Sequence, residues 1–175
     1  TNFAYGYAKR CLAVQIDASN KQYGTEYSYI TPCNLYGNHD KFGENSHFVA
    51  HLIMKIHKAK SEGKKSIELF GTGTPLRQFM NSTDLAKIIN EIVNRNITDS
   101  FNVACRENLS IEQIAKEALK ALDCEDFTIT YDTTKPDGQY RKDVSISKFE
   151  THFSDYKFIN LSDGIKQVYE KNFTR

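Results

Sequence analysis

Residues 5–32, YGYAKRCLAVQIDASNKQYGTEYSYITP, decide the fold class. Ala4, Ala8, Leu12 and Ile16 recur at helical spacing, with Cys11, Val14 and Ala18 on an adjoining stripe. That period predicts a helix over 5–23 with an apolar face. Gly24 supplies the stop, because a residue free to turn left-handed ends helices cleanly. Glu26–Pro32 is β-branched and aromatic between Gly24 and Pro32, and predicts a buried strand. Helix, short turn and strand make half of a βαβ unit.

Working outward, the same alternation continues. Asn34–Asn45 reads as a polar loop. His47–Ser61 predicts a helix, with Val49, Ile53 and Ile56 on one face and lysines opposite. Strands are expected at Ile67–Phe70, Leu76–Met80, Phe101–Val103 and Phe127–Tyr131. Ser82 or Thr83 is expected to cap a helix over Asp84–Asn94. Ser110 with Gln113 three residues on forms a capping-box pattern before Ile111, Ile114, Ala118, Leu119 and Leu122. Lys135–Lys142 reads as a polar loop, with short helices near Ile146–His152 and Ser162–Asn172. Strands alternating with helices place the chain in the α/β class.

Composition narrows function. The 175 residues fit one domain or a piece of a larger one, and the opening in mid-element favours a piece. Lys+Arg is 23 against 22 for Asp+Glu, a net charge of +1, which lacks the cation surplus of a nucleic-acid or anionic-membrane binder. No apolar run reaches the ~20 residues of a membrane span. Cys11, Cys33, Cys105 and Cys124 lie far apart and read as buried free thiols of a reducing compartment.

Several motifs bear on chemistry. Tyr5 and Lys9 stand one helical turn apart, so phenol and ammonium share a face. An ammonium beside a phenol favours the phenolate, which makes the pair an acid/base candidate at neutral pH. Tyr131 and Lys135 repeat the spacing but precede Pro136, where no helix continues. Gly71-Thr-Gly73 fails the dinucleotide fingerprint, since position 76 is Leu, and predicts a tight turn. His47 and His51 could face a metal, but no third ligand is placed, so a polar helix face is the plainer reading. Lys135, Asp137, Arg141 and Lys142 crowd one loop, either solvated or a clamp on a diphosphate. Arg77 is a similar candidate. Asn34 and Tyr36 follow the strand ending at Pro32, the end of a parallel strand where α/β ligands bind.

Five segments carry a resemblance: YGYAKR, SYITPCNLYGNHDKF, ENSHFVAHLIMKIHKAK, ELFGTGTPLRQFM and TKPDGQYRKDVS. In this order and spacing they resemble the GDP-L-fucose synthases, NADP(H)-dependent GDP-4-keto-6-deoxy-D-mannose 3,5-epimerase/4-reductases of the extended short-chain dehydrogenase/reductase superfamily. The resemblance implies the C-terminal part of a Rossmann-like fold. Residues 1–40 would close the dinucleotide-binding domain, and 41–175 would form a smaller GDP-sugar lobe. It implies Tyr5 as the proton donor to the C4 oxygen and Lys9 as its partner on the nicotinamide ribose. It implies Pro32, Cys33, Asn34 and Leu35 against NADP(H). His47 would lie near the cofactor and act as an acid in the epimerisations. Lys55, Phe70, Arg77 and Asp137 would contact the substrate, with Lys142 near it. A cytoplasmic homodimer without metal is implied as well.

Departures from the family pattern are Cys33 for Thr, Asn38 for Pro, and Phe79-Met-Asn81-Ser82-Thr83-Asp84 for F-L-H-V-D-D. The pyrophosphate cradle and the upstream Ser and Cys of the family are not among these residues. A GDP-6-deoxy-4-keto-heptose reductase, or a non-catalytic GDP-sugar-binding module, fits the same segments.

Overall fold

The expected first helix forms as α1 (Phe3–Tyr23), and Gly24, at φ +65°, ends it by donating to the Asn20 carbonyl. The computed structural model describes residues 3–43 and 45–174. The predicted apolar face of α1 is not packed: none of its residues is buried, and none joins either apolar cluster. Of the four free thiols only Cys124 is buried. Cys11 is exposed because it rides on α1, and Cys33 and Cys105 are half-buried.

The strand expected over Glu26–Pro32 shrinks to β1 (Ile30–Pro32). Asn20 is the reason: its side chain donates to the Tyr27 carbonyl at 2.8 Å and accepts from the Tyr27 N–H at 3.0 Å. With both backbone groups taken, Tyr27 has none left for a ladder. Asn34–Tyr36, read from sequence as loop, is strand β2. α2 (Phe48–Ser61) follows His47, and β3 (Ser66–Phe70) leads into the glycine turn. The expected strand 76–80 divides into β4 (Leu76–Arg77) and β5 (Phe79–Asn81) around buried Gln78. α3 (Ser82–Asn94) is capped by Asn81, whose side chain accepts from the Thr83 N–H, rather than by Ser82 or Thr83.

β6 (Phe101–Val103), β7 (Leu109–Ser110) and α4 (Ile111–Ala121) come next, α4 opening on the predicted Ser110–Gln113 capping box. β8 (Thr128–Asp132), β9 (Arg141–Lys142), α5 (Ser147–His152) and α6 (Leu161–Phe173) complete the order. β9 lies inside the loop expected at 135–142.

Pairing is mostly parallel and skips along the chain. β1 pairs with β6, β2 with β5, and β3 with β8, all parallel, while β4 lies between antiparallel β7 and parallel β9. Parallel pairs need crossovers, and the helices provide them. One apolar cluster packs α2, α4 and α6 over β3, centred on Ile53, Ile56, Ile114 and Ile165. A second packs Met80, Ile88, Phe101, Val103 and Phe149. Asp84 ties the second cluster together: its carboxylate accepts from the Tyr156 hydroxyl at 3.0 Å and the Ile159 N–H at 2.8 Å.

Candidate active site

On α1 the spacing does what the sequence reading requires. The Lys9 ammonium stands 5.7 Å from the centroid of the Tyr5 ring, and Tyr5 is 68% exposed. Among the described residues Lys9 makes no ion pair, so its charge is available to a ligand.

Pro32–Leu35 spans the junction of β1 and β2. The Cys33 N–H donates to the Val103 carbonyl at 2.9 Å, extending the β1–β6 ladder by one bond. Asn34 donates its amide to the Gln78 carbonyl at 2.9 Å. Leu35 packs on the second cluster. Burial pushes the Cys33 thiol up to about 11 and the Cys105 thiol up to about 12. Both are held as neutral thiols, which suits packing and not nucleophilic chemistry. His47 is exposed at the entrance to α2, in extended conformation, and its side chain makes no cap hydrogen bond.

The expected substrate residues gather at the far ends of β3 and β8. Phe70 ends β3, is 60% exposed, and faces Asp132 across the ladder. The Lys55 ammonium, reaching from α2, lies 5.2 Å from the Phe70 centroid and donates to the Glu68 carbonyl at 2.5 Å. Desolvation lowers the Lys55 ammonium below its ordinary range. Arg77 is held from two sides by carbonyls, those of Leu76 and Gln139, each at 2.7 Å. Lys142 stands beside it, in register across β4 and β9.

Asp137 is turned inward on the glycine turn. Its carboxylate accepts from the Thr72 N–H at 2.6 Å and the Thr72 hydroxyl at 2.8 Å. Both glycines are there for lack of a side chain. A Cβ on Gly71 would sit 2.1 Å from Asp137 Oδ1, and one on Gly73 would sit 2.5 Å from Tyr131 Cε1. The carbonyls of Gly73 and Pro75 accept from Glu112 and Ile111, so the turn is also fastened to the start of α4.

Two groups therefore emerge: Tyr5 with Lys9, and Lys55, Phe70, Arg77, Asp137 and Lys142. Among the described residues no hydrogen bond, ion pair or aromatic contact joins the first to His47 or to the second. Sequence reasoning missed Gln78. Its side chain donates to the Cys105 carbonyl at 2.8 Å and accepts from the Val144 N–H at 3.1 Å, bracing the strand that carries Arg77. No local signal marks it, because both partners are distant in sequence. A cavity of about 240 Å³ opens beside Arg77, walled by Phe79, Arg106, Glu107, Leu109 and Phe158.

Comparison with known proteins shows the family of the chain. Residues 1–104 match the model of the NAD dependent epimerase/dehydratase family. A probable GDP-L-fucose synthase of Drosophila melanogaster is 33% identical over 175 residues, covering 94% of this chain and 54% of the relative. The crystal structure of a GDP-L-fucose synthetase from Naegleria fowleri bound to NADP superposes with a TM-score of 0.86 at 30% identity. It covers 99% of this chain and 57% of that one. A GDP-D-glycero-L-gluco-heptose synthase from Campylobacter jejuni, solved in the presence of NADPH, gives 0.82 at 25% identity, covering 99% of this chain and 60% of that one. The chain spans about half the length of the curated relatives it matches.

Proposed function

Because this chain belongs to the NAD dependent epimerase/dehydratase family, we propose that it is the C-terminal part of an NADP(H)-dependent GDP-sugar epimerase/reductase. Its substrate on this reading is GDP-4-keto-6-deoxy-D-mannose, epimerised at C3 and C5 and reduced at C4 to GDP-L-fucose. The observation that carries the reading is the Tyr5–Lys9 pair, a phenol and an unpaired ammonium on one helical face.

NADPH supplies the hydride when bound. The residues suit it: Lys9 has no carboxylate partner among those described, and Pro32–Leu35 follows a parallel strand, with Asn34 anchored there by its bond to the Gln78 carbonyl. Tyr5 donates its proton to the C4 oxygen as the ketone is reduced, and the Lys9 ammonium balances the phenolate left behind. The C4 ketone acidifies the C3 and C5 hydrogens; a base contributed from upstream in the full-length protein takes each proton, and exposed His47 gives one back on the opposite face. Lys55, Phe70, Arg77 and Lys142 hold the GDP portion, while Asp137 acts as a positioning residue by bracing Thr72. Residues 1–40 serve the cofactor side and 41–175 the GDP-sugar side, the remaining cofactor contacts coming from upstream in a full-length protein. A homodimer in the cytoplasm is part of the same proposal.

The test is NADPH oxidation by the full-length protein given the 4-keto sugar nucleotide, with Tyr5→Phe alongside. Turnover lost with GDP binding retained supports the reading; turnover unaffected by Tyr5→Phe refutes it. A second reading, reduction of a GDP-6-deoxy-4-keto-heptose, is favoured by the similarity to the heptose synthase. Product from the heptose substrate alone would select it.

A further inference from the structure

The place of His47 is set by the chain on either side of it. Its imidazole is exposed and makes no cap hydrogen bond. In front of it run two turns. Asp40 closes the first, its N–H donating to the Gly37 carbonyl and its carboxylate accepting from the Gly37 N–H, both at 3.1 Å. Ser46 closes the second on the Gly43 carbonyl, with its N–H at 3.2 Å and its hydroxyl at 2.7 Å. Between the turns, Phe42 packs on the first apolar cluster. Behind His47 runs α2, seated in that cluster by Val49, Leu52, Ile53 and Ile56.

Both flanks meet the last turn of α6. From the front, Phe42 meets Phe173 edge-on, with ring centroids 5.0 Å apart and planes at 84°. Beside it the Asn172 amide donates to the Asn38 carbonyl at 3.3 Å and to the Val168 carbonyl at 2.8 Å. From behind, the His57 ring of α2 lies 4.6 Å from the Phe173 ring, and its Nδ1 is hydrogen-bonded to the Tyr169 hydroxyl at 3.2 Å. Tyr169 stacks on Phe173, with centroids 5.5 Å apart and planes at 18°. α6 is itself fixed, because Ile165 and Val168 are buried in the first cluster. One ring, Phe173, therefore stands between the segment that leads into His47 and the helix that leaves it.

We propose that Phe173 is a positioning residue for His47, docking the Phe42 segment against α2 so that the imidazole at their junction is aimed. The proposal rests on the GDP-sugar reading, in which His47 gives a proton back during epimerisation, and deepens it by naming what holds that proton donor. Proton transfer needs donor and acceptor within hydrogen-bond reach, so a small displacement of His47 slows the step. Loss of the Phe173 ring frees the 37–43 segment, while α2 keeps its own buried seat. Lys55, which α2 carries, stays on the Glu68 carbonyl. Binding of the GDP portion and proton return therefore separate in a Phe173 variant.

The experiment uses the full-length protein and saturating 4-keto sugar nucleotide in heavy water without NADPH, following deuterium uptake at C3 and C5 by NMR. GDP affinity is measured calorimetrically alongside. The variants are Phe173→Ala, Phe173→Tyr, Asn172→Ala and Phe127→Ala, with Phe173→Ala and Asn172→Ala repeated on a His47→Ala background. Phe127 packs on the same cluster away from His47, so Phe127→Ala controls for lost packing. Phe173→Ala should slow uptake roughly tenfold with GDP affinity unchanged, and Asn172→Ala about twofold. Phe173→Tyr should restore the rate, and Phe127→Ala should leave it unchanged. On the His47→Ala background Phe173→Ala should add nothing, because the two residues act as one unit. If Phe173→Ala leaves uptake intact, or slows it equally on both backgrounds, the positioning role is overturned and the GDP-sugar reading stands. Equal slowing by Phe127→Ala overturns it too, since packing alone then explains the loss. Should Phe173→Ala fail to fold, the same cycle with Asn172→Ala decides. If His47→Ala has no effect, the proposal falls with the role of His47; if the parent takes up no deuterium, the epimerase reading falls as well.

Discussion

Gly71 and Gly63 have nearly the same backbone, at φ +77° and +67°, but different surroundings. A Cβ on Gly63 meets nothing within 4 Å, whereas one on Gly71 would sit 2.1 Å from Asp137 Oδ1 and 3.3 Å from the Asp137 Cα. Alanine at either site accepts a left-handed conformation, worth about 1–2 kcal/mol. At Gly71 it must also displace the Asp137 carboxylate, which surrenders its two hydrogen bonds to Thr72. A hydrogen bond to a charged group contributes about 1.5–3 kcal/mol when buried, and exposed ones like these are worth less through screening. The expected loss is about 1 kcal/mol for Gly63→Ala and about 2–4 kcal/mol for Gly71→Ala. Urea denaturation followed by circular dichroism measures both, and the difference between variants cancels the shared backbone cost. Asp137→Ala removes the carboxylate without touching φ, so Gly71→Ala on that background should fall close to the Gly63→Ala value. Equal losses for Gly71→Ala and Gly63→Ala in the parent would refute the reasoning, because the Asp137 contact would then carry no energy.

Asp84 offers a larger effect. Asp84→Ala strands the Tyr156 hydroxyl and the Ile159 N–H beside a buried site, and should cost about 2–4 kcal/mol by the same assay. Ser110→Ala removes one half of the capping box on α4 and should cost about 1 kcal/mol, read as a shift in the urea midpoint. Cys11 should react with iodoacetamide at pH 8 while Cys33 and Cys105 lag by more than about tenfold, followed by mass spectrometry of peptides. Stability should also fall as pH rises from about 9 toward 11. Over that range the unfolded chain releases thiol protons that the folded chain retains, so the unfolded state binds fewer protons and gains. Cys33→Ser should flatten that decline; an unchanged slope would show that burial at Cys33 is not its source.

What could be read in the sequence was local. The capping box at Ser110, the stop at Gly24 and the turn at Gly71–Gly73 are each decided within a few residues, and each forms as expected. Features set by distant partners were not legible. Asn34–Tyr36 becomes a strand because β5 lies beside it, and two-residue β9 exists because Arg77 and Leu76 pair with it. The sequence pattern ends the strand at Met80 and gives the cap of α3 to Ser82 or Thr83, whereas Asn81 both closes β5 and caps α3. The α1 stripe failed in the opposite sense: periodicity marks a face suited to burial, but burial needs a partner surface, and none of the α1 residues is buried here. At the site, Lys55, Phe70 and Arg77 were found as residues, whereas the carbonyls that orient Lys55 and Arg77 were not legible.

That arrangement follows one electrostatic rule. Two cations near the Phe70 end of β3 are oriented by carbonyls: Lys55 by Glu68, Arg77 by Leu76 and Gln139. Other cations meet carboxylates, as Lys116 does with Glu112, Arg106 with Glu150 and, on the neighbouring β9, Arg141 with Asp143. A carbonyl fixes a side chain through a dipole and leaves its full charge in place; a carboxylate fixes it and cancels the charge. The acid that braces the glycine turn, Asp137, is spent on the neutral Thr72. Positive charge is thus held in position without being neutralised, on elements whose backbones are pinned by Gln78, by the Gly71–Pro75 turn and by α4. Burial of the Lys55 ammonium carries a desolvation cost, which a bound anion would offset. On the GDP-sugar reading proposed above, a bound diphosphate is the anion that would recover that cost.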